Sequence, residues 1–187
     1  MSNQPRHITA PFDRETARSL RAGESVRITG TLLAARDAAH KAMCECLDRG
    51  EPLPVDLEGQ VVYYVGPTPA KPGMAIGACG PTTAGRMDAY APRLMAQGLL
   101  GMIGKGYRAP AVVEAMREHG VPYLVALGGA GALLCKCVTS YTVLAWPELG
   151  PEALARLEVK DFPAIVAIDC EGRNYYETAQ AAFREED

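Results

Sequence analysis

The sequence of 187 residues lacks any hydrophobic run long enough to cross a membrane as a helix. Its longest stretch without a charged side chain or histidine covers residues 120–135, and Pro122, Gly128, Gly129 and Gly131 interrupt it. A spanning helix needs roughly 20 mostly apolar residues, so a membrane segment is excluded. The opening MSNQPRHITAPFDRE has no apolar core of a secretory signal, and the expected location is the cytoplasm. Positive charge is not in excess either: Lys+Arg number 19 against Asp+Glu 22, a net charge of −3. That leaves no basic stripe for a nucleic acid.

Metal-binding and nucleotide-binding signatures are also missing. The six cysteines fall as Cys44-Glu45-Cys46, Cys79, Cys135-Lys136-Cys137 and Cys170, with no C-x-x-C. Ligand loops typically place about two to four residues between cysteines. These are read as separate thiols of a reducing compartment, partly buried. Gly104-Lys105 is followed by Gly106 rather than Ser or Thr, and the first glycine of a phosphate loop would fall on Leu99. A dinucleotide fingerprint begun at Gly129 and Gly131 would need glycine where Leu134 stands. No internal repeat or low-complexity tract is present.

What remains is ordinary globular composition, 48% hydrophobic and 22% charged. One domain over 1–187 is expected, with 1–24 an N-terminal extension and 177–187 a peripheral tail. Asp13 predicts the N-cap of a short helix to residue 20, and SVRITGTLLA predicts a strand over 25–34. Asp37 predicts an N-cap for a helix to about 49, closed by Gly50. Strands are expected at 61–65, 74–79, 99–103, 123–127, 142–145 and 164–169. Helices are expected at 86–97, from Pro110 to Gly120, and after Gly131. Short apolar strands alternating with helices predict an α/β sheet with a parallel part.

Three loops follow predicted strands, where open α/β sheets collect ligands. They are Ala35-Arg36-Asp37-Ala38-Ala39-His40, then Gly80-Pro81-Thr82-Thr83-Ala84-Gly85-Arg86-Met87-Asp88, and Gly104-Lys105-Gly106. Residues 71–117 carry six basic and two acidic side chains inside an acidic chain. Arginines beside Gly- and Thr-rich loops suit a small anion, because the guanidinium fork grips a carboxylate with two bonds. Each residue also has a purely structural role open to it. Arg36 could be a surface ion-pair residue, Asp37 only a cap, and His40 only a partner for Asp37. Thr82 and Thr83 could be turn residues. Lys105, between two glycines, is best placed to meet a ligand.

Four segments carry a family resemblance: TGTLLAARDAAH at 29–40, GACGPTTAGRMD at 77–88, MIGKG at 102–106 and VKDFPAIVAIDCEGRNYY at 159–176. The sequence resembles the C-terminal domain of class I, iron–sulfur-dependent fumarate hydratases and the beta subunits of two-subunit fumarases and L-tartrate dehydratases. The resemblance implies a swivelling β/β/α domain: a parallel sheet, a second antiparallel sheet, and helices. It implies a [4Fe–4S] cluster held by three cysteines of a partner alpha subunit and by none here, and a heterotetramer of two alpha and two beta chains. It implies a site between the subunits for a small dicarboxylate, fumarate or L-malate first. Arg36, Arg86 and Lys105 resemble the substrate-binding cations, and Thr82 the catalytic base. Asp37, His40 and Thr83 are carried over as supporting residues. Two arginines and a lysine suit a dianion, and neighbouring cations lower the pKa of a threonine hydroxyl. The alternatives are an L-tartrate dehydratase beta subunit, or a non-catalytic module that binds a dicarboxylate or a partner protein.

Overall fold

The computed structural model describes residues 4–181. In chain order the elements begin with β1 (Arg6–Ala10), α1 (Arg14–Ser19), β2 (Ser25–Ala34), α2 (Asp37–Asp48) and β3 (Val61–Tyr63). A 3-10 turn (Ala84–Met87) precedes α3 (Ala91–Met95), β4 (Gly101–Gly104), α4 (Pro110–His119), β5 (Tyr123–Val125) and α5 (Gly131–Leu134). The chain ends through β6 (Val138–Ala145), the 3-10 segment Pro147–Glu152, β7 (Leu154–Ile168) and α6 (Tyr175–Ala181).

The described strands form an α/β sheet in the order β1-β2-β3-β4-β5-β7-β6. β1 to β5 run parallel, while β7 is antiparallel to β2, β5 and β6. Ile165 of β7 pairs with both Ser25 of β2 and Val125 of β5, so the hydrogen bonding runs round from β2 back to β2. The parallel and antiparallel parts are therefore continuous, joined by the two longest strands. β3 and β4 are buried at every position, as parallel strands covered on both faces must be.

Local chemistry explains the helices. Asp13 accepts the Thr16 N–H and caps α1. Pro110 starts α4 and Gly120, at φ 72°, closes it. Val112, Ala115 and Met116 turn one face of α4 to the core.

Several expectations need correction. Residues 1–24 are not merely an extension: β1 pairs with β2 along its length, and Ile8, Phe12 and Leu20 are buried. Of the expected C-terminal tail, 177–181 belong to α6 and 182–187 lie outside the described residues. The expected helix over 86–97 is two pieces, because Pro92, in the first turn of α3, cannot donate into a preceding turn. No strand forms at 74–79. Thr68 instead organises that segment, accepting the Ala78 N–H on its hydroxyl and exchanging main-chain bonds with Gly77 and Ala78.

A candidate anion site at the carboxyl ends of the parallel strands

The three loops singled out in the sequence all leave the same end of the sheet, beyond β2, β3 and β4. Beyond β2, Arg36 occupies the cap position of α2 in an extended conformation, and Asp37 is the first helical residue. Asp37 is thus not the N-cap. Its carboxylate turns outward, taking Arg36 Nε at 3.3 Å on one oxygen and Arg86 Nε at 2.7 Å on the other. Desolvation works to raise the Asp37 pKa, but its own backbone N–H and the two guanidiniums hold it below the usual carboxylate value.

The loop carrying Thr82 is stitched to two strands. Thr82 N–H donates to Tyr64 O just past β3, and Thr82 O accepts from Lys105 N–H just past β4. Ala84 N–H then donates to Lys105 O. Upstream, the Tyr63 hydroxyl donates to Cys79 O, and Cys79 N–H donates to Gly131 O. A Cβ on Gly131 would lie 2.8 Å from Gly80 N, so glycine is required for this close approach. The rigid backbone holds Thr82 half-buried, and its hydroxyl has no hydrogen-bond partner among the described residues. Thr83 is exposed, and its side chain does not cap the 3-10 turn.

The three cations differ in availability. Lys105 is exposed and has no ion pair among the described residues, and its Cδ would be 3.9 Å from a Cβ on Gly128. Arg86, with a side chain 49% exposed, spends Nε on Asp37 and keeps its terminal nitrogens uncommitted among the described residues. Arg36 is only 21% exposed, and Glu152 takes its Nη2 at 3.2 Å. It is an ion-pair residue as well as a candidate ligand for substrate.

His40 does not meet Asp37. It belongs to the buried stripe of α2 with Ala39, Met43 and Cys44, and its Nδ1 lies 2.9 Å from Arg36 O. A carbonyl only accepts, so Nδ1 carries the proton. Its ring meets Tyr64 edge-on at 5.2 Å. Burial, helped by the charge of Arg108, lowers its pKa to about 4, so it is neutral at pH 7.

Sequence reasoning gave no individual role to Glu152, Asp88 or Arg108. Asp88 accepts Arg108 Nε at 2.7 Å and Ala109 N–H at 2.7 Å, tying the GRMD segment to the start of α4. Arg108 is buried and donates through Nη1 to the Tyr64 hydroxyl at 3.2 Å. An acidic residue closing a turn, with an arginine just before Ala-Pro at a helix start, was the available signal.

The described cysteines do not make a metal site. Cys44, Cys46, Cys79 and Cys135 are buried, Cys137 and Cys170 partly so, and no group of three or more metal-binding side chains forms among the described residues. Burial pushes the Cys79 thiol up to about 12, away from the thiolate a cluster needs. These residues do not fit an iron–sulfur cluster. One concavity, lined by Arg14, Glu58, Gly98, Leu99 and His119, lies at the opposite end of the strands. At the candidate site Arg86 and Lys105 are exposed on the surface. No helix among the described residues is long and apolar enough to cross a membrane.

Comparison with known proteins agrees with these motifs. The Fumarase C-terminus family matches residues 4–179. The chain is 43% identical over 156 residues to Fumarate hydratase 2 of Leishmania major, covering 82% of this chain and 28% of that protein. It is 41% identical over 155 residues to the aerobic class I fumarate hydratase of Escherichia coli, again covering 82% and 28%. The putative L(+)-tartrate dehydratase subunit beta of Methanocaldococcus jannaschii is 35% identical over 170 residues, covering 88% of this chain and 87% of that one. The chain thus spans little more than a quarter of the fumarate hydratases and nearly all of the beta subunit. By the extent of the family match and by these identities, it belongs to the fumarase C-terminus family.

Proposed function

We propose that this chain is the beta subunit of a two-subunit hydro-lyase that interconverts fumarate and L-malate. The observation that carries the reading is the convergence of Arg36, Asp37, Thr82, Arg86 and Lys105 on one end of the sheet. Higher identity to the fumarate hydratases favours fumarate, and similarity to a protein named as a subunit beta favours a beta-subunit role with a partner chain. In this reading the alpha subunit holds the [4Fe–4S] cluster and closes over the exposed Arg86 and Lys105, in a heterotetramer of two alpha and two beta chains in the cytoplasm. Activation of the leaving hydroxyl falls to groups outside this chain.

This chain's residues bind the dianion and move a proton. Arg86 offers its terminal nitrogens and Lys105 its ammonium to the carboxylates. Arg36 adds charge and its remaining donors. Thr82 gives up its hydroxyl proton to solvent in the field of these cations and, as an alkoxide, takes the proton from the carbon beside one carboxylate, while the same cations stabilise the charge that develops there. Asp37 orients both arginines, while His40 holds the Arg36 carbonyl and Thr83 bridges to Lys105 through its main chain.

The 35% identity to a putative L(+)-tartrate dehydratase subunit beta supports a second reading, an L-tartrate dehydratase beta subunit. Anaerobic co-expression with a cluster-bearing alpha chain, followed by assays on fumarate, L-malate and L-tartrate, separates the two. Turnover of malate well above tartrate is expected. Turnover of tartrate alone would establish the second reading, and a complex inactive on all three would leave a non-catalytic binding module.

A further inference from the structure

Glu152 stands outside the three loops, at the end of the segment between β6 and β7, yet both its carboxylate oxygens serve the site. Oε1 takes Arg36 Nη2 at 3.2 Å. Oε2 takes the N–H of Ala38, in the first turn of α2, at 3.0 Å. One carboxylate therefore fixes the guanidinium relative to the helix that begins at Asp37, and not merely relative to a surface loop. Gly66 is equally close. A Cβ on Gly66 would lie 2.9 Å from Arg36 Cδ and Nη1 and 3.2 Å from Pro151 O. Arg36 thus packs closely against Gly66 and the end of the β6–β7 connection, with Asp37 on its Nε.

We infer that Glu152 is a positioning residue for substrate binding, setting the Arg36 guanidinium toward one carboxylate of the dicarboxylate. The inference rests on the function proposed above. A freely moving arginine loses side-chain entropy when it binds, and a clamped one has already lost it. Helix capping alone is the competing role, and Glu152→Gln distinguishes the two. The glutamine oxygen still accepts the Ala38 N–H, but the negative charge facing Arg36 is lost.

The test uses the assembled complex with its alpha subunit, measuring malate kinetics and the affinity for succinate, an unreactive four-carbon dicarboxylate, by calorimetry. Glu152→Gln should raise KM and the succinate Kd about tenfold, a typical loss for a charged hydrogen bond. kcat should fall less than about threefold and the unfolding temperature should hardly move. Glu152→Asp should recover part of the affinity. Gly66→Ala, which crowds Arg36 without removing a carboxylate, should also raise KM. In an Arg36→Ala background, Glu152→Gln should have no further effect on KM. Unchanged KM and Kd in Glu152→Gln, or an equal rise with Arg36 already absent, would overturn the inference. If the wild-type complex turned over malate and Glu152→Gln lost affinity only while Arg36 was present, function and inference would both stand; wild-type turnover with unchanged affinity in Glu152→Gln would sink the inference alone. If the wild-type complex bound no dicarboxylate, both would fall together.

Discussion

Asp37 Oδ1 accepts Arg86 Nε at 2.7 Å, joining the first turn of α2 to the 3-10 turn that follows Thr83. Pairing a candidate substrate arginine with an internal carboxylate costs it some attraction for an anion. The choice of nitrogen limits that cost, because an Nε contact leaves the Nη1–Nη2 edge for a second carboxylate. It also fixes the plane of the fork. The same Asp37 holds Arg36, so one residue orients both arginines.

Asp37→Asn is expected to raise KM for the dicarboxylate roughly tenfold, with a smaller loss of kcat, because orientation is lost while shape is kept. The native carboxyl stays ionised to lower pH than an ordinary one. Its stabilising contribution is therefore complete above the ordinary carboxylate pKa and is lost as pH falls through the depressed value. Steady-state kinetics of the complex at pH 7, with urea unfolding of the chain from pH 6 downward, checks both statements.

The two threonines should behave differently. Thr82→Val removes a half-buried hydroxyl from a loop fixed by Tyr64 O and Lys105 N–H, so the backbone should hold. kcat is expected to fall by roughly 10²–10⁴ with little change in KM. Thr83→Val removes an exposed hydroxyl that caps nothing and should cost less than about tenfold. Equal losses in the two variants would show that the loop, not the Thr82 hydroxyl, matters.

These contrasts follow how far each feature depends on local sequence. β2, α1 and α4 were legible because Val-Ile-Thr alternation, the Asp13 cap and the Pro110–Gly120 bracket act over a few residues. Two of the loops were legible because they directly follow the parallel strands β2 and β4, while the loop of Thr82 was expected after a strand at 74–79 that does not form and reaches the same end through its bond to Tyr64 O. The Glu152 contact with α2 was not, since 114 residues separate it from Ala38. His40 was misread because its distance from Asp37 along the helix suggested a contact, while the buried stripe of α2 claimed its ring. The apolar residues at 74–79 resembled a strand, yet Ile76 and Cys79 are buried through turns held by Thr68 and Tyr63.

The isolated chain should bind no iron–sulfur cluster. Its thiols are dispersed, and burial raises the pKa of Cys44, Cys137 and Cys170 as well as that of Cys79. Anaerobic incubation with iron and sulfide, then desalting, should leave a colourless protein without dehydratase activity. A stable brown chromophore lost on Cys135→Ser or Cys137→Ser would show that this chain carries its own cluster.

The buried His40 should make stability depend on pH in a window set by two pKa values. In the unfolded chain the imidazole titrates near 6.5, and in the folded chain at about 4. Burial is the main cause, Arg108 adds to it, and Asp37 and the Arg36 carbonyl oppose it. Between those values the unfolded state binds a proton that the folded state refuses. Stability is therefore complete above the unfolded pKa and falls as pH drops toward 4. The loss amounts to roughly 3 kcal/mol over the window. His40→Asn keeps a donor near Nδ1 for the Arg36 carbonyl but does not titrate. It should be the less stable protein at pH 7, having lost ring packing against Tyr64. The difference between the two should shrink by roughly 3 kcal/mol on going from pH 7 to pH 4. Urea unfolding of both proteins across that range measures it, and a difference independent of pH would mean that His40 is protonated inside the fold.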